Sequence, residues 1–157
     1  MPTQLDVRVR WMIRNDYAAV QRIENVSFPQ PWTPEELADL MRQDDTYGLV
    51  ADVGLGPVGF VLYRTMGRVT AIENLAVDPL YRRSGIGSAL VRKITSRLCS
   101  LKREVAVARV VETNLPAHLF FKACGFRATS VQKGLYLPMC DADAYVFKYR
   151  TKVACSA

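Results

Sequence analysis

The chain has one histidine, His118, in 157 residues and four widely spaced cysteines, Cys99, Cys124, Cys140 and Cys155, with no CxxC pair. That shortage excludes the metal-ligand clusters and disulfide frameworks that dense cysteine and histidine patterns signal, so reduced, unmetallated thiols are expected. Long apolar runs are missing too. No stretch approaches the roughly 20 residues of a membrane span, and MPTQLDVRVRWMIRNDY sets charges where a secretory leader needs apolar residues. A soluble, cytoplasmic protein without a membrane partner is expected. Repeats, low-complexity tracts and obvious linkers are also lacking. One domain over residues 1–157 follows, with 151–157 read as a loose C-terminal tail.

Half of the residues are apolar, enough for one sizeable core, and the net charge is +6. The excess is local. Arg82, Arg83, Arg92, Lys93, Arg97, Lys102 and Arg103 fall between residues 82 and 103 with no acidic residue among them. Arg92, Lys93 and Arg97 fit the solvated face of a helix, whereas Arg82 and Arg83 belong to a turn. No aromatic residues are interleaved there, so nucleic acid is not an expected partner.

Strands and helices alternate along the chain. LDVRVRWMI alternates as a strand, Asn15 and Asp16 are placed to cap a helix running to about Ser27, and SFPQPW is a proline-rich elbow. Thr33 can cap a second helix over PEELADLMRQ, with proline at its first position. YGLVADV and PVGFVLYRT read as a strand pair and VTAIENLAV as a third strand, ended by Asp78 and Pro79. From Ile86, apolar Ala89, Leu90, Ile94, Leu98 and Leu101 keep helical spacing. EVAVARVV is then a β-branched strand, LPAHLFFKAC a short helix stopped by Gly125, and FRATSV and AYVFKYR two closing strands. The class is mixed α/β.

YRRSGIGSALV, residues 81–91, is the most informative stretch. A strand ending at Val77 and a helix beginning near Gly85 make a junction where unpaired N–H groups and the positive end of a helix dipole attract an anion. Glycines let a phosphate approach the backbone, Ser84 and Ser88 add hydroxyls, and Arg82 and Arg83 add charge. A purely structural turn uses the same glycines. Two phosphate motifs fail here: no lysine follows at P-loop spacing, and Leu90 stands where the third glycine of GxGxxG belongs.

The spacing RxxGxG, with Arg82, Gly85 and Gly87 behind ENLAVDPLY, resembles the pyrophosphate-binding motif of the GNAT acetyltransferase superfamily. The similarity extends over roughly residues 5 to 150. SFPQPW and VETNLPAHLFFKACGF resemble the RimI-type N-terminal protein (ribosomal protein alanine) acetyltransferases, Asn114 standing eleven residues before Gly125. The resemblance implies a single-domain fold with a mixed, mostly antiparallel central sheet flanked by helices. It implies acetyl-CoA as donor, bound in the splay between VTAIENLAV and EVAVARVV. Leu75, Ala76 and Val77 would meet the pantetheine arm, and Arg82, Arg83, Ser84, Gly85, Ile86, Gly87 and Ser88 the pyrophosphate. Asn114 would lie near the cofactor, a role compatible with capping the following helix.

The catalytic pattern departs from the resemblance. The RimI-type base position, five residues before Asn114, holds Arg109, and the usual tyrosine acid, seven residues after it, is Phe121. Strand alternation puts Glu73 on one face with Leu75 and Val77, where other GNAT branches carry a glutamate base; an exposed strand residue is the competing reading. Glu112 is the second candidate base and Tyr136 the candidate proton donor. His118 is read as packing or surface. The implied reaction is acetyl transfer to an amine, with a protein or peptide N-terminus as leading acceptor and a small-molecule amine as alternative. An acetyl-CoA-binding module that has lost catalysis is the alternative from another class. Phe28, Trp32 and Tyr136 either border an acceptor pocket or pack in the core.

Overall fold

The computed structural model describes residues 6–98, 103–133 and 143–150. Those residues form β1 (Arg8–Trp11), α1 (Tyr17–Ser27), α2 (Pro34–Met41), β2 (Thr46–Asp52), β3 (Pro57–Met66) and β4 (Val69–Val77). They continue as α3 (Ile86–Thr95), β5 (Val105–Val111), α4 (Leu115–Ala123), β6 (Arg127–Gln132) and β7 (Ala144–Arg150). The strands join in the order β1-β2-β3-β4-β5-β7-β6. β4 and β5 pair in parallel, and β1–β2, β2–β3, β5–β7 and β6–β7 pair antiparallel. This is the expected mixed, mostly antiparallel sheet flanked by helices. No described helix is long and apolar enough to cross a membrane.

Two compact units make up the chain, residues 1–64 with 74–93 and residues 65–73 with 94–157. In the first, Met12, Val20, Ile23, Leu37, Val50, Phe60, Leu62 and Ala76 form the core, with Tyr17, Phe28, Trp32 and Met41 packed against it. Phe28 and Trp32 therefore do have the packing role. Thr33 caps α2 as its sequence indicates: its Oγ1 accepts from Glu36 N at 3.1 Å, and Glu36 Oε2 accepts from Thr33 N at 3.0 Å.

The start of α1 differs from the sequence expectation. A 3-10 turn over Arg14–Asp16 precedes the helix, and Asp16 makes no side-chain cap. Its carboxylate instead accepts from Arg10 Nη1 at 2.8 Å, Arg10 Nη2 at 2.9 Å and Ile13 N at 2.9 Å. The competing partner is a guanidinium that Asp52 also binds, 3.0 Å away. A buried carboxylate is held more strongly by such a pair than by a cap.

In the second unit, β5 lies between β4 and β7, which is why VAVA in its first half is apolar at every position rather than alternating. Phe121, Phe126 and Phe147 cluster beneath α4, with Phe121–Phe126 centroids 5.3 Å apart. Every residue of the edge strand β6 is exposed. α3 ends at Thr95, and Ser96–Leu98 continue as a turn in which Arg97 N donates to Ile94 O at 3.1 Å and Leu98 N to Thr95 O at 3.4 Å. The apolar spacing had pointed to Leu101, which lies outside the described residues, as do Cys99, Tyr136, Cys140 and the 151–157 tail.

Candidate active site

The parallel pairing of β4 and β5 requires a long crossover, and the glycine turn opens it. Asp78 fixes the exit from β4: its N–H donates to Val58 O at 2.7 Å, and its carboxylate accepts from Leu80 N at 3.0 Å. A 3-10 turn over Pro79–Tyr81 follows. Arg83 has φ 62° and Gly85 φ 82°, so the chain enters the left-handed region twice within three residues before α3 begins. A β-carbon built on Gly85 meets nothing within 4 Å, so backbone conformation, not crowding, demands glycine there. Ile86 and Leu90, both buried, seat α3 on β3 at Gly59, where a β-carbon would meet Ile86 Cγ2 at 3.0 Å. The first helical bond runs from Ala89 N to Gly85 O at 3.0 Å, which sets Ile86 and Gly87 at the amide-presenting end of α3. Backbone curled in this way forms an anion-binding concavity. Open space above Gly85, exposed Arg83 and exposed Arg82 suit a pyrophosphate. Arg82 also braces the turn, its Nε donating to Val77 O at 3.1 Å and its Nη2 reaching Ser27 Oγ at 3.5 Å.

The structure thus gathers Leu75, Ala76, Val77 and the Arg82–Ser88 turn in one unit, all on the β4–α3 connection. Among the described residues, the remaining candidates Glu73, Glu112 and Asn114 fall in the other unit. The β4–β5 ladder pairs Val69–Ile72 with Val105–Ala108, and Glu73 is the next residue of β4, with an exposed side chain. Glu112 is exposed in the turn after β5, its N–H donating to Asp143 O at 2.8 Å. Asn114 is the N-cap of α4, Oδ1 accepting from Ala117 N at 3.2 Å. Phe121 is buried among aromatic rings. Arg109 is exposed, and its Nε donates to Gln132 Oε1 at 3.1 Å. His118 packs edge-on against Tyr145 and Phe147, with Nε2 3.0 Å from Val111 O, in keeping with a packing role.

Sequence reasoning passes over Glu24 and Asn74. Glu24 is 3 % exposed on the apolar stripe of α1, four residues after Val20, and its Oε2 accepts from Asn74 Nδ2 at 2.6 Å. Burial pushes the Glu24 carboxyl up from its ordinary value, against the pull of the Trp32 and Asn74 donors. A glutamate at a core position of an amphipathic helix is the sequence signal that identifies it.

A family model described as Acetyltransferase (GNAT) family matches residues 17–126, more than half of the chain. The chain belongs to the GNAT acetyltransferase family. The family comprises acetyltransferases that use acetyl-CoA. An uncharacterised N-acetyltransferase of Methanocaldococcus jannaschii is 32% identical over 102 residues, covering 60% of this chain and 45% of that protein. The chain therefore matches less than half the length of this relative. Among solved structures, Ard1 from Thermoplasma volcanium is similar at 26% identity and TM-score 0.83, over 94% of this chain and 99% of that one. The ribosomal-protein-S18-alanine N-acetyltransferase of Escherichia coli shares the fold at TM-score 0.83 and 19% identity, over 94% and 96% of the two chains.

Proposed function

We propose that this GNAT chain transfers the acetyl group of acetyl-CoA to the α-amine of a protein or peptide N-terminus. The observation that carries the donor half is the left-handed turn at Arg83 and Gly85, open above the glycine and running into the amide end of α3. In this reading the turn holds the pyrophosphate, and β4 lends main-chain groups from Leu75 to Val77. Acetyl-CoA supplies an acyl group activated as a thioester.

The acceptor half is supported by what the site does without. Arg109 is bonded to Gln132 and Phe121 lies in the core, so neither takes over as base or acid. An α-amine with pKa near 7.7–8.0 is roughly a quarter neutral at about pH 7.4, whereas a lysine amine near 10.4 is almost wholly protonated. An N-terminal acceptor therefore demands least of a site so equipped. Its neutral nitrogen attacks the thioester carbonyl carbon, the carbon–sulfur bond breaks, and CoA departs as thiolate. The proton lost from nitrogen passes to Glu73, directly or through water. The same two substitutions also favour a second reading, an acetyl-CoA-binding module without catalysis.

Acceptor-dependent CoA release decides among these readings. Turnover is expected with peptides bearing a free α-amine and is expected to vanish when that amine is formylated. Turnover confined to lysine side chains or small polyamines overturns the N-terminal acceptor. Tight acetyl-CoA binding with no release for any amine establishes the binding module.

A further inference from the structure

We propose that Glu24 and Asn74 form a positioning pair for the acceptor, tying the Phe28–Trp32 segment to the strand that carries the cofactor contacts; this rests on the amine-acetylation reading above. The pair lies at the centre of a connected set of bonds. Trp32 N–H donates to Glu24 Oε1 at 3.3 Å, Asn74 Nδ2 to Glu24 Oε2 at 2.6 Å, and Leu75 N–H to Asn74 Oδ1 at 3.1 Å. The carbonyl of Trp32 is held as well, by Gln21 Nε2. Both polar groups of one residue in the α1–α2 connection are thus fastened to α1, and α1 is fastened to β4.

The direction of each bond is determined. Leu75 N–H occupies Oδ1 of Asn74, so the amide must turn its NH₂ towards Glu24. With donors arriving on both sides, residue 24 must present two acceptor oxygens. Only a carboxylate of this length does so. Glu24 is nevertheless buried without a cation, since no lysine or arginine pairs with it among the described residues, and such burial destabilises a fold. An apolar residue would extend the Val20–Ile23 stripe without that penalty. The charge serves the tether.

Two further contacts show which edge the segment borders. Arg22 Nη2 lies 3.9 Å from Asp78 Oδ2, and Ser27 Oγ lies 3.5 Å from Arg82 Nη2. The end of α1 therefore runs beside the exit of β4 and the glycine turn. The segment that leaves Ser27 starts at Arg82 and is drawn back to Asn74 through Trp32 and Glu24. An acceptor approaching a thioester laid on Leu75–Val77 passes this segment, and its placement fixes the angle of approach.

Trp32 supplies a readout independent of activity. In a Trp11→Phe background it is the only tryptophan. Glu24→Gln sets an NH₂ group against a donor, so acrylamide quenching of Trp32 is expected to rise. The acceptor KM is expected to climb about tenfold while the Kd for acetyl-CoA stays within about twofold. The double variant Glu24→Gln/Asn74→Asp rebuilds every bond, with donor and acceptor exchanged only between positions 24 and 74: the introduced amide still accepts from Trp32 and now donates to the introduced carboxylate, which still accepts from Leu75. Recovery of both quenching and KM is expected. If Glu24→Gln fails to fold, Asn74→Ser, too short to bridge, carries the same expectations. Unchanged quenching in the single variant, an unchanged acceptor KM, or no recovery in the double variant overturns the proposal. Absence of transfer to any amine by the wild-type chain overturns the functional reading, whereas unchanged quenching overturns the tether whatever the activity.

Discussion

Among single residues, Glu73 is the carboxylate we propose as the base. It is the first β4 residue past the β4–β5 ladder and its side chain is exposed, so a water molecule can reach it. Glu73→Gln keeps size and hydrogen bonding but removes the proton acceptor. Turnover is expected to fall by roughly 10²-fold, with acetyl-CoA affinity retained. Raising the pH should restore part of the loss for an α-amine acceptor, because more of it becomes neutral unaided. Steady-state rates at several pH values, with chemistry shown to limit turnover, measure this. Wild-type turnover in the variant moves the role to Glu112, whose glutamine variant is then the one to assay. Residue identity is legible in the sequence itself, which sets Arg109 and Phe121 where the resemblance implies a base and an acid. Which partners they take was not legible, since Gln132 and the Phe126–Phe147 rings come from other elements.

At the scale of elements, β4, its exit and the start of α3 were readable because each signal is contiguous: β-branched VTAIENLAV, the Asp78–Pro79 stop, two glycines, then apolar residues at helical spacing, although that spacing ran past the helix end at Thr95. The start of α1 was not. Asp16 looks like a cap until Arg10 on β1, together with Asp52 on β2, takes its carboxylate, and that competition is visible only once strands have paired. Glu24 escaped notice for the same reason, its partner Asn74 being fifty residues away. The turn supports a paired test. Gly87 is the second residue of α3. Gly87→Val costs no helix propensity, so obstruction of a phosphate would be its main effect. Acetyl-CoA affinity by calorimetry is expected to drop at least about tenfold, on the order of 1.4 kcal/mol, with the melting temperature little changed. Gly85→Ala forces a β-carbon into φ 82° and should destabilise by about 1–2 kcal/mol as well as weaken binding. Unaltered affinity in folded Gly87→Val removes the turn from the cofactor site.

For the whole molecule, the buried carboxylates of the first unit oppose one another as pH changes. The Arg10 guanidinium, aided by Ile13 N–H, holds Asp16 below the usual carboxylate range. The Gly54 amide and then Arg10 lower Asp52 in the same way. Folded values depressed in this manner give stability that is complete above about pH 3.9 and is lost as pH falls through them. Glu24 has the reverse sign. Its folded value is raised by burial, so the folded state binds the proton more tightly than the unfolded chain. Stability then declines as pH climbs from about 4.3 through the raised value. Acidification also adds to a net charge already at +6, and the growing self-repulsion reinforces the loss at low pH. Melting temperature is therefore expected to peak on the acidic side of neutrality, between these two windows. Asp16→Asn should lower stability near neutral pH by about 2 kcal/mol, a charge-assisted bond discounted for a guanidinium that is 31% exposed, and should flatten the acid limb. Glu24→Gln should flatten the other limb and leave the acid one in place. Thermal unfolding of the three proteins from about pH 3 to pH 8 distinguishes the contributions, and a Glu24→Gln profile parallel to the wild type would mean that its carboxyl does not set the decline towards neutral pH.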